Sequence, residues 1–164
     1  MKNLKYPSFR DFQKMNLSVQ KLFWEKEYSN YNQFLQEKGN DFVKKMNEYF
    51  KQNNFDTNKI DNYIHNILFL GFKNHQKERA IKIILEKNDW IVTPTNDFEN
   101  TVLKIDLKAF KNGKWMYIQV KPNESYKPDK NEFKRLIDYI QKLNQNAIAV
   151  LSWINDDKLY LKKI

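Results

Sequence analysis

The dipeptide Asn112-Gly113 stands between two runs of alternating apolar and polar residues, and it constrains the fold of this 164-residue chain more tightly than any other feature. Asn-Gly suits a two-residue β-turn whose central residues both take positive φ. It predicts a hairpin between strands over Thr101–Phe110 and Lys114–Lys121, with Lys111 facing Lys114. Register follows by counting: Phe110 faces Trp115, Lys108 faces Tyr117 and Asp106 faces Gln119. Side chains alternate sides along a strand, so Leu103, Ile105, Leu107 and Ala109 share a core face with Met116, Ile118 and Val120. Lys104, Asp106, Lys108, Trp115, Tyr117, Gln119 and Lys121 share the other. A slip of one residue would send the apolar set to solvent, which specifies the alignment.

Around the hairpin the chain changes style near Gly71. Residues 1–71 read as an N-terminal helical region. Phe42, Val43, Met46, Tyr49 and Phe50 recur at helical spacing over Asp41–Gln52. A second helix is expected from Thr57 to Leu70, with Gly71 closing it, and residues 12–36 add one or two more. Residues 72–164 alternate instead. A helix over 75–87 leads to a strand at Trp90–Thr93 that Pro94 stops. After the hairpin come a helix over 129–143, with Phe133, Leu136, Ile137, Ile140 and Leu143 on one face, a strand at Ala147–Leu151 and a last strand at Lys158–Leu161. Helices interleaved with strands predict an α/β (α+β) fold with a central mixed β-sheet flanked by helices. The length corresponds to about one domain.

Composition narrows the chemistry. With no cysteine, disulfides, thiolate metal sites, iron–sulfur clusters and a cysteine nucleophile are excluded. With only His65 and His75, so is a three-histidine metal site. No glycine-rich phosphate loop or nucleophile elbow occurs, which argues against an organic nucleotide cofactor and Ser/His/Asp hydrolysis. No apolar run is long enough to span a membrane. Residues 1–15 lack the apolar segment of a secretion signal, so the expected compartment is the cytoplasm. Basic residues number 29 against 20 acidic, a net charge of +9 that suits a polyanion. Only three of the 29 are arginines, and Lys and Asn are abundant throughout, so charge alone assigns no partner.

The polar face of the hairpin carries the chemistry. Asp106, Gln119 and Lys121 fall together there. Glu78, one turn before Ile81 and two before Leu85, projects from the edge of the packed side of its helix. Packed on that sheet face, the helix would bring Glu78 to Asp106. Two carboxylates, an amide oxygen and a lysine form a set of hard donors suited to Mg²⁺ or Mn²⁺, with a cation to neutralise phosphate charge. His65 reads as structural, whereas His75, one turn before Arg79, approaches the same end of the helix and with Arg79 is a candidate phosphate contact. Trp115 and Tyr117 either stack on bases or pack under a helix. The stretch after Lys121, with Tyr126, Lys127, Pro128, Lys130, Lys134 and Arg135, leads into the next helix and is placed to touch a phosphate backbone.

Glu78, then Asp106, then Gln119-Val120-Lys121 resembles the PD-(D/E)xK nuclease superfamily, over residues 75–154. The resemblance implies a restriction-endonuclease-like core and a Mg²⁺-dependent endonuclease acting on DNA. Glu78 would be the helix acid, Asp106 the central metal ligand, Lys121 the motif lysine, and Val120 would lend its carbonyl to the metal. Gln119 stands where most members carry Asp or Glu, and Ile105 where most carry proline before the Asp. Some members are similar in having Gln-x-Lys. Three readings follow: a restriction-like enzyme, a structure-selective nuclease such as a Holliday-junction resolvase, and a nuclease fold kept for nucleic-acid binding without catalysis. Cutting two strands needs two sites, so the first implies a homodimer.

Overall fold

The structure is a computed structural model that describes residues 6–127, 129–143 and 146–164. Pro128 of the expected phosphate-contacting stretch and residues 1–5 of the N-terminal stretch lie outside the described residues. The chain is a mixed α/β protein with a five-stranded sheet flanked by helices, and it divides into two compact units, residues 1–75 and 76–164. Among the described residues no helix is long and apolar enough to cross a membrane.

The first unit is helical. Helices α1 (Phe9–Lys14), α2 (Val19–Trp24) and α3 (Tyr31–Phe34) precede a π-helical turn at Leu35–Gly39 and the long α4 (Asn40–Gln52). A 3₁₀ turn at Thr57–Lys59 opens α5 (Ile60–His65), a π-helical turn follows at Asn66–Leu70, and α6 runs from Gly71 to Glu86. Aromatic and aliphatic side chains form its core: Phe34, Phe42, Met46, Phe50 and Leu68 are almost wholly buried, and Phe34 stacks on Phe72 at 5.3 Å. Gly71 does not close a helix, contrary to the sequence expectation. Its backbone is helical (φ −59°, ψ −46°) and the chain continues through it. A glycine ends a helix only when it adopts the left-handed conformation. Here its missing side chain has a different use, because a Cβ at position 71 would stand 2.9 Å from Phe23 Cζ.

The second unit holds the sheet, in the order β1 (Ile91–Pro94), β2 (Leu107–Lys111), β3 (Lys114–Val120), β4 (Ala147–Asn155), β5 (Lys158–Lys163). All neighbours are antiparallel except β3 and β4, which the helix α8 (Lys130–Lys142) joins in parallel. The hairpin register is the expected one: Lys111 pairs with Lys114, Phe110 with Trp115 and Lys108 with Tyr117. Asn112 (φ 50°) and Gly113 (φ 74°) are both left-handed, as the turn requires. Pro94 is the last residue of β1 rather than a stop beyond it, tolerated because β1 is an edge strand. A second two-residue turn, Asp156-Asp157, also has two positive φ values and makes β4 and β5 longer than expected.

The largest departure lies before β2. Thr101–Asp106 is not strand. A short helix α7 (Asp97–Thr101) occupies its start, capped by Asn96, whose side chain accepts from Glu99 N while Glu99 accepts from Asn96 N. The chain then turns through Lys104 at φ 58°. That turn breaks the alternation. Leu103 and Ile105 therefore pack with Tyr117, Leu136, Ile140 and Ala149 rather than on the face of Leu107 and Ala109. Tyr117 lies under α8, edge-on to Tyr139, so it packs beneath a helix instead of presenting a surface for bases.

Candidate active site

Asp106 sits at the point where the turn from α7 enters β2, and its backbone is held from two sides. Its N–H donates to Ile118 O at 2.8 Å, and the Thr95 hydroxyl donates to Ile105 O at 2.8 Å. Its carboxylate is held as well: Asn100 Nδ2 donates to Oδ1 at 3.1 Å and the Val120 N–H donates to Oδ2 at 2.7 Å. Each oxygen keeps a further lone pair for another donor or a cation.

The same bond orients Val120. The N–H and C=O of one residue in an extended strand point the same way. Ile118 O meets Asp106 N, and Val120 N meets Asp106 Oδ2, so Val120 aims its main chain at the Asp106 side. Lys121, one residue on, aims at β4, donating to Ser152 O at 2.8 Å. The Val120 carbonyl thus points to the β2 side of β3, past the end of the β2 ladder.

Glu78 on α6, Gln119 on β3 and Lys121 just after it are all buried. Burial raises the Asp106 pKa well above the carboxylate range, and the Glu78 charge raises it further, while the Val120 N–H and then the Lys121 charge pull it down. Burial likewise raises Glu78. Asp106 is therefore close enough to Glu78 and to Lys121 to feel the charge of each. A pair of carboxylates in this state shares a proton or binds a cation. The Lys121 ammonium lies 4.1 Å from the Tyr126 ring centroid, which fixes the loop after β3 over it.

Among the described residues no group of three or more His, Asp or Glu side chains forms a metal cluster. The two carboxylates are hard oxygen donors of the kind Mg²⁺ and Mn²⁺ accept alongside several waters. Two desolvated carboxylates, one of them raised further by the charge of the other, fit such a cation.

His75, a candidate phosphate contact in the sequence, has its side chain turned away from solvent. It is buried in the first unit, stacked on Phe23 at 5.5 Å and edge-on to Trp24 at 4.3 Å, because the helix turns it into the aromatic core. Arg79 is half-buried. Tyr126, Lys127, Lys130, Lys134 and Arg135 are exposed, along the loop and the first turns of α8. Sequence reasoning missed Asn100 and Glu99. Glu99 is buried, and Lys108 donates to both its oxygens at 2.9 Å, so Lys108 is its ion-pair partner. The spacing Asn96-x-x-Glu99 was the available signal, since it marks the start of a capped helix. No family model, curated protein or solved structure matches the chain.

Proposed function

We propose that the chain is a metal-dependent DNA endonuclease of the PD-(D/E)xK type, hydrolysing phosphodiester bonds. The observation that carries the reading is that Asp106 lies within the electrostatic reach of both Glu78 and Lys121, from three separate elements. Asp106 and Glu78 would hold Mg²⁺ or Mn²⁺, assisted by Gln119 and the Val120 carbonyl. When bound, such an ion supplies charge neutralisation at a phosphate and a more acidic water. Lys121 would orient the attacking water and offset negative charge building on the phosphorus oxygens. Asn100 and the Val120 N–H keep the Asp106 carboxylate in one orientation, which lowers the reorganisation needed at the moment of attack. The exposed cations Lys127, Lys130, Lys134 and Arg135 would follow the DNA backbone.

Gln119 favours a second reading, a nuclease fold that binds nucleic acid without cutting it, because the site has one negative charge fewer than the family's usual set. Incubating supercoiled plasmid with Mg²⁺ or Mn²⁺ separates the two. Nicking by the wild type that Asp106→Ala and Lys121→Ala both abolish supports the enzyme. Equal nicking by all three removes the catalytic assignment. DNA binding with a steep salt dependence and no nicking under either metal leaves the binding module. A restriction-like enzyme cuts linear duplex, whereas a junction resolvase prefers a branched substrate.

A further inference from the structure

A groove of about 550 Å³ opens beside Lys121, walled on one side by the loop Pro122–Ser125 and floored by Trp153, Asn155 and Tyr160. Its size is within the range of small-ligand sites. Trp153 and Tyr160 pair across β4 and β5, with rings stacked 5° from parallel at 5.6 Å. Trp153 is buried and Tyr160 is 41% exposed, so the pair is a fixed aromatic platform with one open ring. Pairing partners share a face, which puts Lys158 and Lys162 of β5 on the same side as Tyr160, one row to either side of it. By the strand alternation Lys121 belongs to this face too, in the row of Tyr117 and Gln119. The face therefore runs from the candidate catalytic lysine, over an aromatic floor, to two lysines on an edge strand.

We propose that this groove receives an unpaired DNA base from the nucleotide next to the cleaved phosphate, stacked on Tyr160, so that the preferred substrate has single-stranded character at the cut. The proposal rests on the nuclease reading for the presence of DNA and extends it to the kind of DNA. The chemistry of the walls selects a base over a phosphate. Asn123 and Asn155 offer amides to a base edge, whereas Glu124 in the same wall repels an anion. The phosphates on either side of the base would meet Lys121 and the β5 lysines instead. Stacking on a fixed ring suits any base, so the groove confers a preference for unpaired DNA rather than for a sequence.

The test uses the full chain in Ca²⁺ or chelator, where cutting is not needed. A 12-nucleotide single strand carrying 2-aminopurine is titrated with protein, against the same strand in a blunt duplex. Tighter binding of the single strand and quenching of the 2-aminopurine are expected. Tyr160→Ala should weaken single-strand binding roughly fivefold to a hundredfold and leave duplex binding within about twofold, while Tyr160→Phe behaves as wild type. Circular dichroism melts of both variants check that they fold. Single-strand binding and quenching that Tyr160→Ala leaves unchanged overturn the proposal, as does equal weakening on both substrates. The nuclease reading fails separately: if no metal supports nicking yet the Tyr160 effect holds, the base groove stands and the catalytic assignment falls.

Discussion

The Val120 N–H donates to Asp106 Oδ2 at 2.7 Å, a bond that ties the end of one central strand to the carboxylate at the start of its neighbour. It places three candidate groups at once: the acid, the carbonyl of Val120 and, by alternation, the Lys121 side chain. Asp106 is thus held by two donors while burial and the Glu78 charge both oppose its ionisation.

Removing either charge of that centre should stop catalysis without unfolding the protein. Asp106→Ala and Lys121→Ala are each expected to lower the rate of plasmid nicking in Mg²⁺ by about 10²–10³-fold or more. Near-wild-type melting temperatures for both variants separate lost chemistry from lost structure.

The shared burial of Glu78 and Asp106 has a pH signature. Both carboxyls ionise at higher pH in the folded chain than in the unfolded one. The unfolded state therefore releases its protons first, and stability in chelator falls as pH rises from about 4 toward the raised values. Glu78→Gln should remove part of that loss. It is expected to stabilise the chain by on the order of 1–2 kcal/mol at pH 8, with the gain vanishing near pH 4. Urea titrations at the two pH values measure it. Mg²⁺ or Mn²⁺ should raise the melting temperature of the wild type more at pH 8 than at pH 6, since the ion competes with protons.

In the first unit the Tyr49 hydroxyl donates to Asp11 Oδ1 at 2.7 Å, and this bond, with those from Ser8, lowers the Asp11 pKa to about 2. A depressed acid contributes stability above its unfolded value, and the contribution fades as pH falls through the folded one. Tyr49→Phe should cost about 1.5 kcal/mol at pH 7, the low end for a charged hydrogen bond because the Asp11 side chain is 19% exposed. The cost should shrink between about pH 4 and pH 2.

Lys108 neutralises Glu99 inside the sheet unit, where the Glu99 side chain is 5% exposed. Lys108→Met leaves that carboxylate buried and is expected to cost about 3–5 kcal/mol. The double variant with Glu99→Gln should recover most of it, because no charge then remains to be solvated. Chemical denaturation of the two singles and the double gives the coupling directly.

Gly71→Ala offers a sharper test of packing. Alanine has the higher helix propensity, and position 71 is helical, so propensity alone would stabilise it by about 1 kcal/mol. The new methyl would stand 2.9 Å from Phe23 Cζ and 3.1 Å from Cε2. A net loss of about 1–2 kcal/mol is expected from overpacking. A rise in stability would show that Phe23 moves aside freely.

Local chemistry made much of this protein readable. Asn112-Gly113 has one low-energy turn, and that turn dictated the β2–β3 pairing residue by residue. Helical spacing in 40–52 and 130–142 marked α4 and α8 for the same reason: an amphipathic period admits one buried face. Other features turned on contacts between residues distant in sequence. Lys104 takes a left-handed conformation that no strand pattern announces, and it sends Leu103 and Ile105 to the opposite face. Gly71 and His75 carry ordinary end-of-helix and start-of-helix signals, yet their roles depend on Phe23 and Trp24 some fifty residues earlier. The fields of Glu78 and Lys121 on Asp106 arise in the same way. Turn geometry and period are properties of neighbouring residues and act before folding, so the amino-acid order alone determines them. Burial and electric fields depend on which surfaces meet, and only the folded chain decides that.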